Sequence, residues 1–154
     1  MTLQHFTWIR SNTLKLGESI DDAVLKVVPN GFNNNILWNL GHLYGATEGL
    51  LFRASGRDIQ LPEAYVEAFG GGTSPKTWTN EPPSREDILS RLAEQSKRVA
   101  ETFEGHLDEA LPKELNIAGI EMKTVADLLD FTTLHESMHF TTSRLYNTLL
   151  KSSS

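Results

Sequence analysis

The feature that most constrains the fold of this chain is a helical repeat near its C-terminus. In the segment TVADLLDFTTLHESMHFTTSRLYNTLL, residues 124–150, one set of side chains recurs at alternating steps of four and three. Steps of this kind place side chains on one face of an α-helix. The set consists of Leu128, Thr132, His135, His139, Thr142, Tyr146 and Leu149. The two histidines therefore point the same way, one turn apart, on a long predicted helix.

A second set of side chains runs beside the first on this predicted helix. It consists of Leu134, Met138, Thr141 and Leu145. A largely apolar stripe on a helix usually faces a core. We therefore expect the histidine pair to lie beside this stripe, at the edge of the core or inside it, rather than in bulk solvent.

The same periodicity predicts three more helices. They span residues 2–20, 36–54 and 84–105. The asparagine cluster at residues 33–35 offers a side-chain cap for the second helix. Ser84 with Asp87 resembles a capping box for the third, and Thr124 with Asp127 repeats this pattern for the fourth. The start of each of these three helices is therefore marked by a residue that can bond to its free backbone N–H groups.

A long connection separates the second predicted helix from the third. It covers residues 57–83, with one short helical turn expected at PEAYVEAF. A loop at residues 110–123 precedes the last helix and is compatible with a short extended pair. Four amphipathic helices of similar length predict an all-α fold, a four-helix bundle. We expect one domain over residues 1–151 and a frayed tail at 152–154.

Composition excludes several kinds of partner. The chain has 154 residues and a formal net charge of −6, which disfavours nucleic acid and anionic membrane surfaces as partners. No apolar run approaches the ~20 residues of a membrane span, and MTLQHFTWIR lacks the order of a signal peptide. We therefore expect a cytoplasmic protein. Because the chain has no cysteine, a metal site must use imidazole or carboxylate ligands.

The segment HESMH, residues 135–139, matches the H-E-x-x-H pattern of zinc proteases. Those enzymes take a third ligand from further along the chain, yet FTTSRLYNTLLKSSS after His139 contains no histidine and no carboxylate side chain. The protease interpretation therefore lacks a ligand. Glu136 lies about 100° round the helix from His135, where it is either a base near a metal ion or a residue on a solvated flank.

The third ligand is best sought in NLGHL, at His42 on the second predicted helix. Gly41, Gly45 and Gly49 surround it at four-residue spacing, and each glycine costs about 1 kcal/mol of helix stability relative to alanine. One explanation is close packing of another element against the glycines. The other is that they leave room beside His42 for a metal ion and a substrate. The sequence leaves both open.

Several polar residues near the histidines are candidates for hydrogen bonds to metal ligands or to a substrate. They are Asn39, Thr132, Thr142 and Tyr146. Such residues also occur as ordinary polar groups of a core, so both interpretations stay open. His5 on the first helix is either a packed residue or an occasional fourth ligand. His106 follows the third helix, where we expect it to interact favourably with the negative C-terminal end of the helix dipole.

Three segments of the chain resemble the DinB-like (DinB/YfiT-like) metal-binding proteins. ILWNLGHLYGATE is similar to the W-x-x-G-H segment of that family, and VADLLDFTTLHESMH is similar to its last-helix segment with histidines four apart. AFGGGTSP followed by PPSREDILSRL is similar to the family's long connection into the third helix. The resemblance implies an up-down-down-up bundle with residues 57–83 as the crossover. It also implies that His42, His135 and His139 are a metal-binding triad.

The resemblance and the residue chemistry agree on a class of function. Three neutral imidazoles with an open fourth position are typical of a catalytic metal centre, because structural zinc usually has four protein ligands. Some relatives are thiol-dependent S-transferases or isomerases that use bacillithiol or mycothiol. This implies a divalent metal, zinc or nickel before others, that activates a low-molecular-weight thiol and passes it to a small electrophilic molecule.

Other functions remain open at this point. The main alternative is a metal-binding stress-response protein or dimer scaffold without turnover, and a metal-dependent hydrolase is less expected. The expected partners are a small-molecule substrate and a second copy of the chain in a homodimer, with no nucleic acid and no membrane.

Overall fold

The computed structural model describes residues 2–152, which form four long helices, shorter helical segments and one hairpin. In chain order the elements are α1 (Leu3–Ser19), α2 (Asp22–Leu25), α3 (Ile36–Thr47) continued by a π-helical segment (Glu48–Arg53), α4 (Glu63–Phe69), a 3₁₀ turn (Pro75–Thr77), α5 (Arg85–Phe103), β1 (Ala110–Ile117), β2 (Ile120–Thr124) and α6 (Val125–Ser152). Each long helix packs against two others: α1 and α3 both contact α5 and α6.

The predicted helix starts are confirmed by their capping bonds. Asn35 Oδ1 accepts a hydrogen bond from the Trp38 amide at 2.8 Å, and Ser84 Oγ accepts one from the Asp87 amide at 3.1 Å. At the start of α6, Asp127 Oδ2 accepts from the Thr124 amide at 2.9 Å while the Asp127 amide donates to Thr124 Oγ1 at 3.3 Å. These short polar side chains satisfy N–H groups that have no partner inside the helix.

The structure extends the predictions for the connecting segments. PEAYVEAF forms α4, which is longer than the single turn expected, and the extended pair before the last helix is an antiparallel hairpin. The all-α expectation therefore holds for most of the chain, with this small sheet added. The up-down-down-up order of helix directions and the single-domain assignment stay predictions. Of the predicted tail, Ser152 is the last residue of α6, and residues 153–154 lie outside the described part.

The stripe beside the histidines on α6 corrects one expectation. Leu134, Met138 and Leu145 are between 48% and 61% exposed, and Thr141 is also exposed. Leu149, expected on the histidine face, is 49% exposed. The face of α6 that packs into the core is instead the one that carries Leu128, Thr132, Glu136, Ser143 and Tyr146. The histidines do lie at the edge of the core, as expected, but the apolar stripe faces outward.

None of the helices formed by residues 2–152 has the length and hydrophobicity that a membrane span requires.

A layer of buried polar side chains separates two hydrophobic clusters. One cluster includes Leu40, Tyr44, Leu92 and Tyr146, and the other includes Phe6, Leu51, Val99 and Leu129. On each long helix a buried polar residue falls in sequence between members of the two clusters. These polar residues are Arg10 on α1, Thr47 on α3, Gln95 on α5 and Glu136 on α6. The layer therefore crosses the whole helical core.

Arg10 lies at the centre of this layer and is fully buried. Its Nε and Nη2 donate to the two carboxylate oxygens of Glu136 at 2.7 and 2.8 Å. Nη2 also donates to Thr47 Oγ1 at 3.2 Å, and Nη1 donates to the Leu92 carbonyl and to Gln95 Oε1, both at 3.0 Å. A guanidinium carries five N–H groups, and here each has an acceptor. One side chain thus joins all four long helices.

A second buried ion pair continues the layer toward the surface. Gln95 Nε2 donates to Glu48 Oε1 at 2.9 Å, and Arg98 Nη1 donates to the same oxygen at 2.8 Å. Glu48 Oε2 accepts from the Gln60 amide at 2.8 Å. Because each buried carboxylate has an arginine partner, and Glu48 also accepts from Gln60 and Gln95, the layer avoids the large cost of an unpaired buried charge.

We expect the replacement of both Arg10 and Glu136 to destabilise the protein less than the replacement of either residue alone. Arg10→Met alone, or Glu136→Leu alone, should lower the free energy of unfolding by about 3 kcal/mol, because each leaves a buried charge without its partner. The double variant should lose less than the sum of the two. Urea denaturation followed by circular dichroism measures these values. Lys97→Met, in an exposed pair with Glu94, is the control and should change stability by less than about 1 kcal/mol. An Arg10→Met variant as stable as this control would contradict the expectation.

Candidate metal centre

Three histidine side chains from α3 and α6 meet at one point. His42, His135 and His139 each offer one ring nitrogen, and these atoms lie within 4.8 Å of one another. The Nε2 atoms of His135 and His139 are 3.2 Å apart. Two nitrogens bound to one tetrahedral zinc at 2.0–2.1 Å lie roughly 3.4 Å apart. The spacing of this pair is therefore close to that of two ligands on one metal ion, and His42 lies near enough to join them.

Two of the three rings are oriented by hydrogen bonds from their other nitrogen. His42 Nδ1 lies 2.8 Å from the Phe69 carbonyl oxygen, and His139 Nδ1 lies 2.7 Å from Asn39 Oδ1. Both partners are acceptors, so each Nδ1 carries the proton. The lone pair of each ring is then on Nε2, and this is how metal-binding histidines are usually held.

The amide of Asn39 is itself fixed in one orientation. Its Nδ2 donates to Asn34 Oδ1 at 3.0 Å and to the Asn35 carbonyl at 2.8 Å, which leaves Oδ1 to face His139. Asn34 Oδ1 also accepts from the Tyr146 hydroxyl at 2.9 Å. A chain of bonds therefore runs from Tyr146 through both asparagines to the ring of His139. The asparagine cluster thus serves the site as well as the helix cap.

The crossover segment is attached to the helix that carries His42. The ring of Trp38 stacks on the ring of His42, with centroids 4.6 Å apart and planes at 10°. Trp38 Nε1 donates to Thr73 Oγ1 at 3.0 Å, and the Phe69 carbonyl accepts from His42. The segment 69–73 is therefore part of the wall of the site, which sequence patterns did not reveal.

The three glycines around His42 have different roles. A Cβ at Gly41 would lie 2.3 Å from the ring of Phe69, so close packing explains this glycine. A Cβ at Gly45 would meet only Leu61 Cδ1, at an ordinary 3.6 Å, and one at Gly49 would meet nothing within 4 Å. Close packing is therefore shown at Gly41 alone, while Gly45 borders a cleft beside His42.

Burial keeps the three imidazoles uncharged. It lowers the pKa of His139 to about 3 and that of His135 to about 4, and neighbouring imidazoles act in the same direction. Burial also lowers the pKa of His42, while its bond to the Phe69 carbonyl acts against this shift. Neutral imidazole is the form that binds a metal ion. The rings are therefore in that form at neutral pH.

Other residues proposed from the sequence do not meet the triad directly. Glu136 lies in the buried layer, where both of its oxygens accept from Arg10. Thr132 and Thr142 donate to backbone carbonyls one turn earlier in α6. His5 accepts from the Thr2 amide through Nδ1 at 3.0 Å and so belongs to the cap of α1.

The triad has the composition of an open metal site. Among residues 2–152, no fourth histidine, aspartate or glutamate joins the three ligand atoms. Three protein ligands leave room in the coordination sphere of a divalent ion, as in catalytic rather than structural sites. The residues present therefore fit a divalent metal ion with three protein ligands.

The metal-free protein should lose stability as the pH falls from about 6.5, the ordinary histidine pKa, toward the folded values near 4 and 3. In this window the unfolded chain binds protons that the buried rings do not, so acid favours unfolding. Urea denaturation with chelator at pH 7 and pH 5 measures the loss. His139→Gln should reduce this pH dependence. Equal pH dependence in wild type and His139→Gln would contradict the expectation.

The comparison with known families agrees with this geometry. No curated protein matches the chain. The sequence model of the DinB superfamily matches residues 5–143, a span that includes all three histidines and the crossover. The resemblance seen in the sequence motifs is thus confirmed over most of the chain. This protein belongs to the DinB superfamily.

Proposed function

We propose that the protein binds one divalent metal ion through His42, His135 and His139 and activates a small thiol for transfer to an electrophilic molecule. The observation that supports a bound metal ion is that three ring nitrogens, one from each histidine, lie within 4.8 Å of one another. Its support is the pair of Nδ1 hydrogen bonds that turn Nε2 of His42 and His139 toward that point. Zinc and nickel are the leading candidates because both suit imidazole ligands.

The open position favours a thiol as cosubstrate. A divalent ion lowers the pKa of a thiol bound to it, so that the thiolate forms at neutral pH. The chain has no cysteine, so the sulfur has to come from a small molecule. We place the reaction in the cytoplasm, where low-molecular-weight thiols are kept reduced.

The residues of this chain have defined tasks in that reaction. The three imidazoles hold the metal ion, and Asn39 and the Phe69 carbonyl keep two of them oriented. The stacked ring of Trp38 covers one face of His42. In the transfer, the sulfur forms a bond to the electrophilic carbon, and the leaving group departs with the electron pair of the bond that breaks.

A second candidate function is a metal-binding dimer scaffold without turnover. The observation that favours it is the exposed apolar stripe on α6, which includes Leu134, Met138 and Leu145, together with the exposed Leu149 near it. An apolar stripe that faces outward on a long helix is suited to pairing with a second copy of the same helix. A metal-dependent hydrolase has less support, because Glu136 is paired with Arg10 in the core.

The metal content of the protein tests the first part of the proposal. Protein purified without an affinity tag should contain about one equivalent of metal by inductively coupled plasma mass spectrometry, and His42→Ala should contain little. Asn39→Ala should bind metal roughly 10- to 100-fold more weakly, since it removes the acceptor for His139. His106→Ala, a substitution at an exposed histidine outside the triad, is the control.

Two results would count against the metal site. If wild type contains no metal and cannot be loaded, the triad does not bind one. If His42→Ala binds metal as tightly as wild type, the third ligand lies elsewhere.

A thiol titration of the cobalt-substituted protein separates the two candidate functions. If the metal keeps an exchangeable position, 2-mercaptoethanol should add a sulfur-to-cobalt absorption band that saturates near one thiol per metal. A scaffold with a closed site should give no such band. Loss of the band in His135→Ala, measured at equal protein concentration, is the control for binding at the triad.

A further inference from the structure

A cleft of about 160 Å³ lies against His42. One wall belongs to α3, where Gly45 presents only backbone, and the other belongs to the crossover segment through Leu61, Val66, Phe69 and Gly71. His42 takes part in both the cleft and the metal triad. A molecule in the cleft is therefore in contact with a metal ligand.

Gly45 presents only backbone to the cleft. At Gly41 the ring of Phe69 leaves no room for a side chain, whereas a Cβ at Gly45 would make only an ordinary contact with Leu61. Packing therefore does not require glycine at position 45, and this residue adds no side chain to the cleft.

The walls of the cleft are suited to an apolar group. Leu61, Val66 and Phe69 contribute hydrocarbon, and Val66 remains half exposed. The polar groups nearby already have partners: the Tyr65 hydroxyl donates to Asp87 Oδ2 at 2.6 Å, and His42 Nδ1 bonds to the Phe69 carbonyl. An apolar cavity of roughly 150 Å³ is enough to hold benzene. The volume and lining thus match a group of about ring size.

We infer that the electrophilic acceptor carries an apolar group of about the size of a phenyl ring, and that this group binds in the cleft between Gly45 and Val66. The inference rests on the proposed thiol transfer and names the class of its acceptor. In this proposal the carbon attached to the ring points toward the triad, since His42 belongs to both the cleft and the triad. That carbon bonds to the thiol sulfur, and its leaving group departs with the electron pair of the broken bond.

The cleft is tested first without any thiol. Toluene is titrated into ¹⁵N-labelled, zinc-loaded protein, and amide shifts are followed by NMR. Toluene should shift the amides of Gly45 and Gly71, and Gly45→Leu should abolish this response by filling the cleft. The matched control is Gly49→Leu, the same substitution where a side chain meets nothing, and it should respond as wild type does. Val66→Trp narrows the cleft from the opposite, exposed wall and serves if Gly45→Leu does not fold.

The second step links the cleft to the metal. In cobalt-substituted protein, benzyl mercaptan should bind at least about tenfold more tightly than 2-mercaptoethanol, because its ring is removed from water. Gly45→Leu or Val66→Trp should bring the two affinities close together while leaving that of 2-mercaptoethanol unchanged.

The outcomes separate this inference from the proposed function. If toluene shifts none of these amides, or if both cleft variants respond as wild type does, the cleft assignment is wrong. If toluene binds but neither thiol changes the cobalt spectrum, the cleft assignment holds and the thiol chemistry is wrong. If both thiols bind with equal affinity to wild type, the cleft does not receive the group attached to the sulfur, and the acceptor class is wrong.

Discussion

The position of the candidate metal site depends on one buried cation, the guanidinium of Arg10. A charge in the interior of a protein is tolerated only when it is paired and its hydrogen-bonding capacity is used. Arg10 meets this requirement by bonding to groups on α3, α5 and α6 at once. Since its acceptors are fixed in space, the four helices have little freedom to slide or rotate against one another. His135 directly precedes Glu136 in the sequence. The contact between Arg10 and Glu136 that holds α6 in place therefore also fixes where the two histidines lie along the helical core.

The site itself uses three kinds of support. Helical spacing puts His135 and His139 on one face, a chain of amides and a tyrosine hydroxyl orients His139, and the crossover backbone orients His42. These supports come from distant parts of the chain: Asn39 and His139 are 100 residues apart. The crossover is therefore more than a connection between two helices. It supplies a hydrogen-bond acceptor for His42, a hydroxyl that accepts from Trp38, and one wall of a cleft.

Much of the fold and of the site could be predicted from local patterns. The steps of three and four, together with side chains that cap helices, gave the four long helices, because these signals act within a few residues. The triad could be predicted because two histidines share a helical face and the glycines marked His42. The position of Arg10 could not, since a single arginine among polar neighbours on α1 looks like a surface residue. The outward stripe on α6 was misjudged for a related reason: apolar spacing identifies a face, but what covers that face is decided by other helices.

Because Glu136 is held by Arg10, the HESMH motif does not place its glutamate as a zinc protease does. The spacing of the motif is the same whether the side chain of the glutamate faces a metal ion or the protein interior. In this protein it faces the interior, where Arg10 donates hydrogen bonds to both carboxylate oxygens of Glu136. The residue that distinguishes this arrangement from that of a peptidase stands 126 positions from the glutamate. A five-letter pattern cannot contain that information, because the residue that holds the glutamate comes from the opposite end of the sequence.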